Sequence, residues 1–187
     1  MDEIVLVPGL HNSGPDHWQS HWHRHFPHWQ RVTGQTWERA ELASWSNRVA
    51  ELLQYSSGKV HLVAHSFGTL AAIAATRRHA DKIASLFIVA PADPANFAIA
   101  DRELASPLPF AARLVASRND PWMSLERAHY WSQQWQVPLI DIGEAGHINA
   151  QSGHGEWSEG LTLLAELLQE SRFPQSHQVR ELAQTLA

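Results

Sequence analysis

Val60-His61-Leu62-Val63-Ala64-His65-Ser66-Phe67-Gly68-Thr69-Leu70 is the stretch on which the reading of this chain turns. Val60–Ala64 is an apolar run short enough to be a buried strand. From Gly68 to Arg78 a helix is expected, and its Ala71, Ala72, Ala74 and Ala75 leave it thin enough to lie close against a sheet. Ser66 sits at the junction. A nucleophile elbow needs this layout: a serine on a strained turn at the carboxyl edge of a sheet, with small residues two positions to either side. The G-x-S-x-G pattern stands here as Ala64-His65-Ser66-Phe67-Gly68, with alanine for the first glycine. Taken alone, the same stretch is equally an ordinary strand–helix turn in which Ser66 caps the helix.

Outward from this centre, short apolar runs alternate with longer helical patterns. Ile4–Val7 reads as a buried strand ended by Pro8-Gly9, Arg31–Thr33 as a weaker second strand, and Leu86–Val89 as a strand covered on both faces. Ala111–Ala116 and Leu139–Ile142 complete six strand candidates. Helices are expected over Trp18–Phe26, Glu38–Gln54, Leu125–Gln134 and Trp157–Leu168, with a short amphipathic one in the tail. Alternation of this kind implies an α/β fold, a parallel sheet between two helical layers. We expect one α/β domain over 1–170 and a helical tail, 171–187, docked on it. The connection Pro91–Phe110 contains four prolines and no clear periodicity; a segment like this is as often a lid or binding loop as a plain surface loop.

Composition removes several classes. The 187 residues contain no cysteine, so disulfides, thiolate metal sites and cysteine nucleophiles are excluded. A net charge of -5 gives no footprint for nucleic acid. The first apolar run is too short for a signal peptide or a membrane span, so a cytoplasmic protein without membrane attachment is expected.

A serine hydroxyl needs a base to take its proton, and the imidazole needs a carboxylate to fix its tautomer. On an elbow fold these follow in the order Ser, acid, His, each beyond a later strand. Asp120 lies four residues past Ala116, and His147 five past Ile142, both in loops broken by glycine or proline. Asp93 is the reserve acid and His154 the reserve base, while His65 is read as packing and Asp141 as pointing into the sheet region or a helix layer. For the oxyanion, the Phe67 amide is one donor and the loop after the first strand supplies the other, with Leu10 preferred and His11 the alternative. Trp122, two residues from Asp120, is expected to line the acyl pocket, and His11 and Trp18 are further substrate-contact candidates.

With these motifs in hand, the chain resembles the retinoblastoma-binding-protein-9-like (YdeN-like) small serine hydrolases of the α/β-hydrolase superfamily. The resemblance runs from about Ile4 to Leu168. It rests on Val7-Pro8-Gly9 with Trp18 downstream, Ala64-His65-Ser66-Phe67-Gly68-Thr69, Asn119-Asp120-Pro121-Trp122 and Gly146-His147-Ile148-Asn149. It implies a reduced, three-layer α/β-hydrolase fold with about six parallel strands and no antiparallel first hairpin. It also implies no cofactor, Ser66, Asp120 and His147 as nucleophile, acid and base, and small carboxylic esters as substrates. The retinoblastoma-type recognition motif requires a cysteine, so partner binding of that kind is not carried over.

The chain has nine tryptophans and thirteen histidines, crowded toward the N-terminal third. His17, His21 and His25 recur at four-residue spacing, which could hold a metal; with no carboxylate at ligand spacing, a polar helix face is the preferred reading and no metal is assigned. Three functions follow. The first is a serine esterase acting through an acyl-enzyme on small to medium esters, as a monomer or homodimer. The second is a weak or silent binding protein that uses its Trp/His-rich N-terminal surface. The third is a metal protein built on the histidine helix.

Overall fold

The computed structural model describes residues 2–173 and 175–187. Twelve regular elements follow the expected alternation: β1 (Glu3–Val7), α1 (Trp18–His25), β2 (Gln30–Arg31), α2 (Leu42–Tyr55), β3 (Val60–His65), α3 (Phe67–His79), β4 (Ile83–Val89), β5 (Ala111–Ala116), α4 (Leu125–Trp135), β6 (Leu139–Asp141), α5 (Ser158–Glu170) and α6 (Ser176–Leu186). The strands form one six-stranded sheet in the order β2-β1-β3-β4-β5-β6. Every pairing is parallel. This is a three-layer α/β-hydrolase fold, and among the described residues there is no antiparallel hairpin before the parallel sheet.

Side-chain alternation along the strands explains the layers. Val5 and Val7, Leu62 and Ala64, Leu86 and Ile88, and Leu114 face α2, α3 and α4, where Trp45, Phe67, Trp131 and Trp135 fill the core. Ile4, Leu6, Val63, Phe87, Val89 and Val115 face the other way, onto Trp18, Trp22, Trp157 and Leu161 of the α1 and α5 layer. The sheet register supports the split, since Val63 pairs with both Leu6 and Phe87, and Leu62 with both Val5 and Leu86. Helix α6 lays Val179 and Ala183 into this second layer, behind Phe173.

Several boundaries differ from expectation for local reasons. The helix expected from Glu38 begins at Leu42, because a turn at 37–38 is followed by extended Glu41 and the Trp45 indole donates to the Arg39 carbonyl at 2.9 Å, which holds 39–41 out of the helix. The second strand is only Gln30–Arg31, although the Val32 amide still reaches the Leu6 carbonyl. Strand β4 starts three residues early, at Ile83: the polar Ser85 that interrupts the apolar run is buried by a 2.8 Å bond to His61.

Because the strands are parallel, the residues after Val7, His65, Val89, Ala116 and Asp141 all emerge at one rim. No described helix is long and apolar enough to cross a membrane.

Candidate active site

Ser66 and Ala74 are the two half-buried residues in a run from Val60 to Thr76 that is otherwise buried. The Ser66 φ of 54° and ψ of -130° lie outside the regions comfortable for an L-residue. The turn is held from both sides: the Ser66 amide donates to Val89 O at 3.1 Å, and the Thr69 hydroxyl donates to Ser66 O at 2.7 Å. Gly68 is required here. A Cβ at that position would lie 2.3 Å from Pro8 O and 2.6 Å from Val7 O, so the helix after the serine can approach the first strand only with no side chain between them. Ala64 takes the place of the usual elbow glycine at no evident cost, its methyl buried in the α3-side core.

Beside the serine, the structure brings the expected partners together. His147 Nε2 lies 2.8 Å from Ser66 Oγ, and His147 Nδ1 lies 2.9 and 3.0 Å from the two Asp120 oxygens. A carboxylate only accepts, so the proton sits on Nδ1 and leaves Nε2 free to accept from the hydroxyl. The imidazole is 10% exposed and the carboxylate 3%, which keeps water from competing for the pair. Asp120 also accepts the Trp122 amide at 2.9 Å.

The loop carrying His147 is braced by residues whose role the sequence did not reveal. Asn119 Oδ1 accepts from the Gly146 amide at 2.7 Å, and Ser117 Oγ accepts from the Ala145 amide at 2.9 Å. His65 Nε2–H donates to the His147 carbonyl at 2.9 Å. The Trp18 indole donates to the Ile148 carbonyl at 2.9 Å, and the Trp22 indole to Glu156 at 2.8 Å. Burial pushes the His65 imidazole well below its ordinary range, so it serves as a neutral donor.

The reserve candidates are engaged elsewhere: Asp93 pairs with Arg127 at 2.7 Å, and His154 Nδ1 with Ser152 at 3.1 Å. Asp141, expected to point into the sheet or a helix layer, is instead exposed at the end of β6 and pairs with Arg118 at 2.8 Å. The loop after β1 is tied down by Arg31, which donates to Asn12 Oδ1 and Ser13 O, and by Gln19, which donates to Val7 O and Val63 O. In that loop the His11 amide donates to the Trp37 carbonyl at 2.9 Å, which removes it as an oxyanion donor.

A cleft of about 310 Å³ opens over Ser66 and His147, with Leu10, His11, His17, Phe97 and Trp122 among its walls. Trp18 is not one of them. It is fully buried against Trp22 and Trp157, so the substrate contact expected of it is corrected to a brace of the His147 loop.

Of the three histidines read as one polar helix face, only His21 and His25 lie within α1. His17 lies before the first turn, where its Nδ1 accepts the Gln19 amide, and its ring is buried while His25 is exposed. Burial lowers the His17 pKa to about 3. Among the described residues no group of three or more His, Cys, Asp or Glu is placed to hold a metal.

The sequence profile of the family described as serine hydrolase matches residues 4–166. The chain belongs to the serine hydrolase family. It is 47% identical to a protein of Pectobacterium atrosepticum described as a YdeN-like hydrolase, covering 91% of this chain and 92% of that one with a TM-score of 0.87. The ydeN gene product of B. subtilis shares the fold at a TM-score of 0.71 and 15% identity, over 90% of this chain and all of that one. Esterase 2 of Thermogutta terrifontis does so at 0.66 and 13%, over 92% and 84%. No curated protein matches the chain. In this serine hydrolase, then, the elbow, the imidazole and the carboxylate come from the ends of β3, β6 and β5, as the order of motifs along the chain requires.

Proposed function

We propose that this serine hydrolase cleaves small to medium carboxylic esters through an acyl-enzyme on Ser66. The reading is carried by the continuous run of hydrogen bonds from Asp120 through His147 to Ser66. As Ser66 Oγ attacks the ester carbonyl, its proton passes to His147 Nε2, and Asp120 stabilises the imidazolium. The tetrahedral oxyanion is met by the amides of Phe67 and Leu10. Phe67 opens α3, so its N–H has no partner within the helix and stands at the positive end of the helix dipole. Leu10 lines the cleft beside Ser66, and the neighbouring His11 amide is already committed to Trp37. Collapse breaks the ester C–O bond, with the His147 proton going to the leaving alcohol. Water then attacks the acyl carbonyl, giving its proton to His147, and the acid departs as Ser66 is regenerated.

Against the reading as a binding protein, Trp18, Trp22, Trp29 and Trp45 are buried and Trp37 is half-buried against the core, which leaves that surface mainly to histidines such as His25 and His28.

Labelling with a fluorophosphonate tests the proposal. Wild-type protein is expected to take one label on Ser66, and Ser66→Ala to take none while losing about 10³-fold or more in kcat on model esters. Label at another residue, or full activity in Ser66→Ala, would refute it.

A further inference from the structure

One wall of the cleft is flat, aromatic and clasped from behind. Phe97, from the long connection after β4, and Trp122 both line the cleft above Ser66 and His147. Their ring planes lie within 19° of each other with centroids 6.5 Å apart, and Phe97 rests on Phe67 at 4.9 Å. Trp122 is 45% exposed, although most of the tryptophans of this chain are buried. An exposed indole at the mouth of a cleft leaves apolar surface in water that a ligand would cover. Other positions around the same cleft are polar: His11, Asn12, Asn149 and Gln151. A pocket with a planar aromatic wall and polar groups elsewhere favours a flat ring over a flexible chain, because ring–ring contacts gain energy beyond the area they bury.

The clasp lies outside the cleft. Arg127 of α4 donates to both carboxylate oxygens of Asp93, at 2.7 and 2.9 Å, and to both of Asp101, at 3.0 and 2.9 Å. Its guanidinium sits 4.7 Å over the Tyr130 ring. The two aspartates bracket the turn Pro94–Phe97 that presents Phe97. From the same turn, the Asp93 amide and the Asn96 side-chain amide donate to the Trp122 carbonyl at 3.1 and 3.0 Å. One guanidinium thus fixes the aspartates, and through them both rings of the wall. The Arg127 hydrogen bonds also hold the Asp101 carboxyl below its ordinary range, so the clasp stays ionised.

We propose that the cleft selects esters bearing an aryl group, which lies on the Phe97–Trp122 wall, and that Arg127 is the positioning residue that holds this wall in place. The proposal rests on the ester-hydrolase reading above and adds the class of substrate to it.

The test uses vinyl acetate, vinyl benzoate and benzyl acetate, followed by acid release, so that the leaving group adds no ring of its own to the first two. Wild type is expected to favour at least one aryl ester over vinyl acetate in kcat/KM, and the pair of aryl esters tells whether the ring belongs to the acyl or the alcohol side. Arg127→Met keeps the aliphatic stem and removes the fork. It is expected to lower that preference about tenfold, through KM, while vinyl acetate hydrolysis stays within about threefold. Arg127→Lys keeps the charge without the bidentate geometry and should fall between the two, which also serves if Arg127→Met fails to fold. In a Phe97→Ala background, Arg127→Met should change the preference no further.

A merely structural arginine would lower all three esters in parallel; that result, or a wild type indifferent to aryl groups, overturns the proposal while fluorophosphonate labelling of Ser66 leaves the hydrolase reading intact. Absence of both labelling and ester hydrolysis overturns both.

Discussion

His65 donates its Nε2–H to the main-chain carbonyl of His147 at 2.9 Å, so the residue immediately before the serine holds the loop that carries the base. The two rings lie 4.9 Å apart, and His65 is buried among His17, Trp18 and His147. A group that orients a catalytic side chain through its backbone affects the rate more than substrate affinity. His65→Leu is therefore expected to lower kcat about 10- to 100-fold with little change in KM. His65→Gln, which keeps a donor amide, should recover part of the loss. Equal losses in the two variants, or a change confined to KM, would show that the bond does not position His147.

The backbone at Ser66 lies in a strained region, as a nucleophile elbow would require. A non-glycine residue at φ 54° and ψ -130° costs about 1–3 kcal/mol, and glycine relieves most of it. Ser66→Gly should accordingly be more stable than Ser66→Ala by about 1 kcal/mol in urea unfolding, both being inactive. A Ser66→Gly protein less stable than Ser66→Ala would mean that the elbow is not strained in solution.

How much of this was legible follows from the range of the interactions. The strand–serine–helix junction could be read because its requirements are local: an apolar run, a serine, and Gly68 where helix and strand meet. Asp120 and His147 were legible because a parallel sheet delivers every strand end to one rim, so position after a strand already predicts convergence. The burial of Trp18 is not legible, because an aromatic residue near a glycine loop carries no sign of which way it faces; its partner, the Ile148 carbonyl, is 130 residues away. The Asn119, Ser117 and Gln19 braces left no trace for the same reason, each being a polar residue bonded to a backbone group that composition cannot name. The early start of β4 is not legible, because Ser85 looks like a break until His61, on the neighbouring strand, satisfies it.

Asp93 and Asp120 are both acids after strands, and the structure separates their tasks. Asp120 meets His147 Nδ1, whereas Asp93 meets Arg127. Asp120→Asn presents an amide to the imidazole and disfavours the working tautomer, so kcat should fall about 10³-fold or more. Asp93→Asn weakens the Arg127 cluster, whose side chains make no hydrogen bond to His147 or Ser66. It should leave kcat on vinyl acetate within about threefold while lowering the unfolding midpoint. Reversed severity of the two variants in kcat would overturn the assignment of the acid.

Acid should unfold this protein earlier than its carboxylates require, because buried histidines must charge. His61 is fully buried between Ser85 and Phe173, and burial lowers its pKa from the usual 6.5 to about 4. The sign follows from proton binding. Between those two values the unfolded chain takes up the proton and the folded one does not, so stability is complete above pH 6.5 and declines as pH falls toward 4. From pH 7.5 to 5 the loss attributable to this one group is on the order of 2 kcal/mol. Urea unfolding of wild type and His61→Gln across that range isolates it: the variant starts less stable but should show a shallower fall. A variant with the same slope as wild type would mean that His61 titrates alike in the folded and unfolded chain, and that its burial beneath Phe173 opens freely to water.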